Sequence, residues 1–127
     1  KAKMLKNNVI QKALATAKNS DMQRGKVGAV LFTNSGHIIT FANNVYYDGD
    51  DDKRSVHAEE YVLAKMIKIR AISRYKNLNL LVVRYKISND NLAMARPCLA
   101  CQKLLSRFPE LTIYYSNERG EICRLYM

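Results

Sequence analysis

The stretch Leu78 to Tyr85 (LNLLVVRY) constrains the fold of this 127-residue chain more than any other segment. It reads as a strand apolar enough to lie in the centre of a sheet, so both of its faces need a covering layer. The segments around it supply those layers. Lys1 to Ser20 contains no acid and places Leu5, Val9, Ile10, Leu14 and Ala17 at helical spacing. A first structural helix is the better reading of this segment than an organelle transit peptide, because transit peptides favour Arg and Ser where this one favours Lys and Asn. Val27 to Thr33 reads as a buried strand, Asn34-Ser35-Gly36 as a turn and His37 to Asn43 as the returning strand of a hairpin. Tyr46 to Arg54, with Asp48, Asp50, Asp51 and Asp52, is expected to be loop. Ser55 then caps a helix from about Val56 to Arg70, with Ala58, Val62, Leu63, Met66 and Ile67 on its inner face.

Beyond the central strand, Asn89 to Ala95 is expected to be loop, and Pro97 suits the first turn of a helix reaching Phe108. Leu111 to Tyr115 and Glu121 to Tyr126 read as two final strands joined by a short turn, hence antiparallel. The order α-β-β-α-β-α-β-β predicts an α/β fold, a three-layer α/β/α sandwich around a five-stranded mixed sheet, as a single domain over residues 1–127.

Composition narrows the function. Apolar residues at 48% and charged residues at 25% exclude a disordered chain. No apolar run approaches the ~20 residues of a membrane helix, and no secretory h-region is present, so no membrane partner is expected. Three cysteines are too few for a disulfide scaffold, and the odd count argues for reduced thiols in a cytoplasmic or nuclear compartment. Lys and Arg number 21 against 11 acids, a formal net charge of +10. That excess predicts an anionic partner, with nucleic acid the leading candidate.

Two short motifs carry chemistry. His57-Ala58-Glu59 stands at one expected helix start and Pro97-Cys98-Leu99-Ala100-Cys101 at the next. Either alone is weak; together they match the H-x-E…P-C-x-x-C pattern of zinc nucleobase deaminases. Two thiolates and an imidazole make a tetrahedral N/S set that suits Zn²⁺, and three protein ligands leave a fourth position for water. Cys98 and Cys101 fall on one helix face in a first turn, where free backbone N–H groups and the helix dipole favour thiolates. Glu59 can converge on the same site as a general base for the water. The bland alternatives are a capping pair of His57 and Glu59, two buried thiols, or a closed structural zinc site whose fourth ligand would have to be His37 or Cys123.

On these residues the chain resembles the cytidine deaminase-like superfamily over nearly its whole length. Gly28-Ala29-Val30-Leu31 resembles the family's first core strand, and Phe41-Ala42-Asn43-Asn44 the end of the second, where the family places a sugar-binding Asn. The resemblance implies zinc ligation by His57, Cys98 and Cys101, and proton shuttling by Glu59. It implies sugar contact by Asn44, with Asn43 as the alternative, and a substrate contact at Ala58. A plain strand-ending turn is the structural reading of the Asn pair.

The form of the substrate is less constrained. His as the first ligand resembles the polynucleotide and nucleotide branches, and the net charge leans the same way. Arg54 and Arg96, with Lys53, Arg24, Lys26 and Arg119, are candidate phosphate contacts. Tyr46, Tyr47, Tyr114 and Tyr115 are candidate stacking surfaces, although Tyr in a strand is more often packing. Against this, Ala95-Arg96-Pro97-Cys98 replaces the APOBEC-type S-W-S/T-P-C, and four acids precede His57. An antiparallel last pair of strands resembles free-cytidine deaminases and several bacterial toxin deaminases. The expected function is zinc-dependent deamination of cytosine to uracil, preferentially on single-stranded DNA or RNA. A free cytidine, deoxycytidine or nucleotide substrate is the alternative. An adenosine deaminase acting on nucleic acid and a non-catalytic zinc-containing nucleic-acid-binding module come behind it.

Overall fold

A computed structural model describes residues 5–23, 25–49 and 52–127, with backbone alone for 46–49 and 52–55. Its elements run α1 (Asn7–Lys18), β1 (Lys26–Thr33), β2 (Ile38–Asn43), β3 (Val45–Gly49), β4 (Asp52–Val56), α2 (Ala58–Lys68), α3 (Ala71–Arg74) and β5 (Leu78–Lys86). A 3-10 turn, β6 (Asn91–Ala93), α4 (Leu99–Leu105), β7 (Thr112–Ser116) and β8 (Ile122–Arg124) follow. The main sheet has the order β2-β1-β5-β7-β8, with β6 also paired to β5. Among the described residues only β5 with β7 is parallel; β7 with β8 is antiparallel, as the short turn between them requires.

The central strand is the predicted one. The first six residues of β5 are buried, and its side chains alternate between two cores. Leu78, Leu80 and Val82 enter one, with Val62, Leu63 and Met66 of α2 and Leu105 of α4. Leu81 and Val83 enter the other, with Val9, Ala13 and Ala17 of α1. Alternation along a strand therefore sets three layers: α1 on one face, the sheet, and α2 with α4 on the other.

The sheet departs from the sequence reading in two places. The segment expected as loop over 46–54 is instead an antiparallel hairpin, β3 with β4, forming a separate two-stranded sheet. β3 reads VYYDG and β4 reads DKRSV, with no apolar alternation in either to announce a strand pair. The expected loop over 89–95 contains β6, which adds a sixth strand by pairing with Arg84, Tyr85 and Lys86. Because β1 occupies one edge of β5 along residues 78–85, β6 must take the other edge, past the end of β7.

Helix limits are shorter than expected. Leu99–Leu105 replaces the stretch from Pro97 to Phe108, with Cys98 in the N-cap position, so Pro97 precedes the helix. In α2 the residue expected inside but found outside is Ile67, 59% exposed; Glu59 is buried in its stead. No helix among the described residues is long and apolar enough to cross a membrane.

Candidate metal centre and catalytic cavity

The two motifs meet at two helix starts on one face of the sheet. His57 holds the N-cap position of α2 with extended backbone. Its backbone N–H donates to Glu60 Oε1 at 3.1 Å, so the capping carboxylate is Glu60. That leaves Glu59 free to turn inward, where only 5% of it is exposed. On the other side, the backbone N–H of Ala95 donates to the Ser116 carbonyl at 2.8 Å, tying the approach to α4 onto β7. The Gln102 side chain donates to the Pro97 carbonyl at 2.8 Å and steadies the first turn that carries both cysteines.

His57 Nδ1 lies 3.1 Å from Cys101 Sγ and 3.8 Å from Cys98 Sγ. All three ligand atoms lie within 4.8 Å of one another. Tetrahedral zinc at ordinary bond lengths would place nitrogen and sulfur about 3.5 Å apart and two sulfurs about 3.8 Å apart. The donor set and its spacing therefore fit zinc, with Nδ1 as the facing imidazole nitrogen. Neither candidate for a fourth protein ligand joins the cluster, among the described residues. The His37 ring packs near that of Tyr75, and Cys123 accepts a hydrogen bond from Asn117.

Burial shapes the charges here. It raises the Glu59 carboxyl above the usual carboxylate range, against the opposing effects of a backbone hydrogen bond and of His57. It also pushes the Cys101 thiol up, and the adjacent Glu59 carboxylate adds to that. Burial thus opposes the helix-start stabilisation expected for the Cys101 thiolate, and a cation held by these residues would supply the charge that the thiolate needs.

The centre opens into a cavity of about 360 Å³. His57, Ala58, Glu59 and Cys98 form its floor, and Asn44 and Arg96 belong to its wall. Asn44 lines this cavity, whereas Asn43 lines a different one with Lys12 and Phe41. Asn44 is also a structural tie. Its Oδ1 accepts from Val27 N–H at 2.9 Å and from the Ser20 hydroxyl at 2.7 Å, and its Nδ2 donates to the Gly25 carbonyl at 2.7 Å.

Strand parity separates the tyrosines. Tyr114 is 3% exposed in the α1-side core and offers no stacking surface. Tyr115 packs on the metal side but outside the cavity wall, where its ring lies 6.0 Å from the Arg96 guanidinium and backs it. Lys26 donates to the Ser20 carbonyl, and Arg119 pairs with Glu121 outside the cavity. The side chains of Tyr46, Tyr47, Lys53, Arg54 and the acids of 48–52 lie outside the described residues, as does Arg24.

One wall residue escaped the sequence reading. Arg84 lines the cavity from β5, with Met22 and Met94 as further lining. Its signal was present: Leu78, Leu80, Val82 and Arg84 share one face, and that face carries the metal helices.

Among the described residues, one imidazole and two thiols form a three-donor N/S cluster at two helix starts of an α/β/α sandwich, a donor set that suits zinc. Residues 4–116 match the family described as the cytidine and deoxycytidylate deaminase zinc-binding region, and the chain belongs to that family of zinc-dependent deaminases. Among solved structures it is similar to a cytidine deaminase from Burkholderia pseudomallei, with 22% identity, a TM-score of 0.66, and coverage of 96% of this chain and 92% of that one. It is similar to a dCMP deaminase from the cyanophage S-TIM5, with 25% identity, a TM-score of 0.58, and coverage of 90% and 86%. A cytidine deaminase from Mycobacterium leprae matches at 22% identity and a TM-score of 0.59, over 93% of this chain and 91% of that one. No curated protein matches the chain by sequence.

Proposed function

We propose that this chain hydrolyses cytosine to uracil and ammonia, on a cytosine that carries phosphate, either as a free nucleotide or within a single strand. The observation that carries the reaction is the buried Glu59 beside the His57, Cys98 and Cys101 cluster, with Glu59, His57 and Cys98 lining one cavity. When bound, zinc supplies a water activated for attack near neutral pH. Glu59 moves the protons: its carboxylate takes one from the attacking water and delivers it to ring N3, then takes the proton of the hydroxyl added at C4 and delivers it to the amine, which departs as ammonia as the C4 carbonyl forms. Burial suits it to this shuttling, because a carboxyl raised above its usual range holds a proton more readily. The first-turn N–H of Ala58, which has no partner within its helix, serves the base carbonyl. Asn44 serves the sugar with the Nδ2 hydrogen not used on Gly25.

Phosphate on the substrate is supported by the net charge of +10, by Arg84 and Arg96 in the cavity wall, and by the similarity to a dCMP deaminase. The antiparallel pairing of β7 with β8 favours a second reading, a free cytidine or deoxycytidine substrate.

The test incubates the purified chain, after metal analysis, with deoxycytidine, dCMP, a cytosine-containing single-stranded oligonucleotide and adenosine. Uracil formation with about one zinc per chain is expected. Glu59→Gln should retain zinc and fold while turnover falls at least about 100-fold. A zinc-loaded chain that deaminates no cytosine form, or a Glu59→Gln variant with near-full turnover, overturns the reading.

A further inference from the structure

Arg84 stands at a boundary between two cavities. On one side lies the metal cavity; on the other is a trough of about 350 Å³ lined by Gln23, Lys26 and Lys86. Gly25 and Arg84 belong to both walls. At Gly25 the chain runs at φ +64°, and a Cβ there would lie 3.7 Å from Arg84 Nη2, so the guanidinium lies against bare backbone. Its own backbone is fixed. Arg84 pairs with Val27 of β1 on one side and Ala93 of β6 on the other. Its N–H donates to the Ser116 hydroxyl at 3.3 Å, and that hydroxyl donates to the Ala93 carbonyl at 2.6 Å.

Among the described residues, Arg84 has no carboxylate within ion-pair distance; the ion pairs there are Lys18 with Asp90 and Arg119 with Glu121. An exposed arginine on a strand, with no carboxylate partner among the described residues, presents its forked donors to whatever enters the metal cavity. The nearby cations add to it. Lys86 shares its strand face two residues on, and Arg96 sits in the same metal cavity, backed by Tyr115.

We infer that Arg84 is a specificity-determining residue that binds the phosphate attached to the sugar of the reacting cytosine, with the adjoining trough receiving what lies beyond that phosphate. This rests on the proposed cytosine deamination and extends it by naming the residue that reads phosphate. The same chemistry serves a terminal monoester or a bridging diester, and the two differ in whether anything occupies the trough.

The experiment measures binding by calorimetry to zinc-loaded Glu59→Gln chain, which holds substrate without turning it over. The probes are deoxycytidine, dCMP and a trinucleotide with central cytosine; kcat and KM are measured in parallel on the chain with Glu59 intact. Arg84→Gln should lower the affinity for phosphate-bearing probes relative to deoxycytidine by about 10- to 100-fold, the range for hydrogen bonds to a charged group. The loss should fall in KM rather than kcat. Arg84→Lys, which keeps the charge but not the fork, should recover part of it. Arg107→Gln, which removes the same charge from an exposed position beyond α4, should leave the ratio unchanged. A loss confined to dCMP identifies a terminal phosphate, and a larger loss for the trinucleotide identifies a bridging one. The inference is overturned if Arg84→Gln leaves the ratio unchanged, if Arg107→Gln lowers it equally, or if neither phosphate-bearing probe binds better than deoxycytidine. Failure of the deaminase reading is seen separately, as absence of uracil from every probe with the intact chain.

Discussion

Asn44 ties the Val27 and Gly25 backbones and the Ser20 hydroxyl together through one amide, while lining the metal cavity. Truncating it leaves the Val27 N–H and the Gly25 carbonyl without their partners. Each buried unsatisfied group costs about 1–3 kcal/mol. Asn44→Ala should therefore lower unfolding stability by about 2 kcal/mol or more in urea titration, in addition to any effect on KM. An unchanged unfolding midpoint with a raised KM would show that the amide serves substrate alone. The two adjacent glutamates divide their work in a comparable way. Glu60 satisfies the backbone of His57 at the helix start, and this frees Glu59 to be buried beside the cysteines.

Between elements, α1 approaches β1 closely at Gly28. A Cβ at that position would stand 2.6 Å from both the Ala13 carbonyl oxygen and the Ala17 nitrogen, which are backbone atoms of the helix. Neither can yield without moving α1 off the sheet. Gly28→Ala should destabilise the protein by about 1–3 kcal/mol, the usual range for overpacking. Zinc content should be unaffected, because α1 covers the face opposite the metal helices. Denaturation curves and metal analysis on the same sample check both halves; loss of zinc in a folded Gly28→Ala chain would contradict the separation of faces. The β3–β4 hairpin has a different relation to the site. It leaves the chain just after Asn44 and returns just before His57, so both of its ends are cavity residues.

For the molecule as a whole, the excess of ten positive charges sets how substrate form responds to salt. An oligonucleotide bound through its phosphates releases counterions, so log Kobs should fall against log salt with a slope of about −0.7 per phosphate contact. With dCMP, which offers one phosphate, the dependence should be much shallower. Fluorescence titration across a salt series measures both. Salt-independent oligonucleotide binding would rule out a phosphate-tracking surface and leave the charge as a solvated face.

How much of this was legible in the amino-acid sequence depends on the range of each interaction. His57, Cys98 and Cys101 were readable as a zinc set because ligand chemistry belongs to residue type, and their spacing at two helix starts is local. The central strand and the three layers were readable because β5 is apolar on both faces. The antiparallel ending followed from a short turn. Arg84 and the opposite facing of Tyr114 and Tyr115 were also within reach, since strand parity is a property of sequence once one face is known. The β3–β4 hairpin and β6 were not, because backbone pairing without apolar alternation leaves no periodic mark. The resemblance preferred Asn44 to Asn43, but which of the two lines the metal cavity depends on how the end of β2 turns, which only the tertiary structure gives. The burial that raises Glu59 and the Cys101 thiol likewise exists only in the tertiary structure. Desolvation is set by what the rest of the chain packs around a group, and no window of neighbouring residues contains that information.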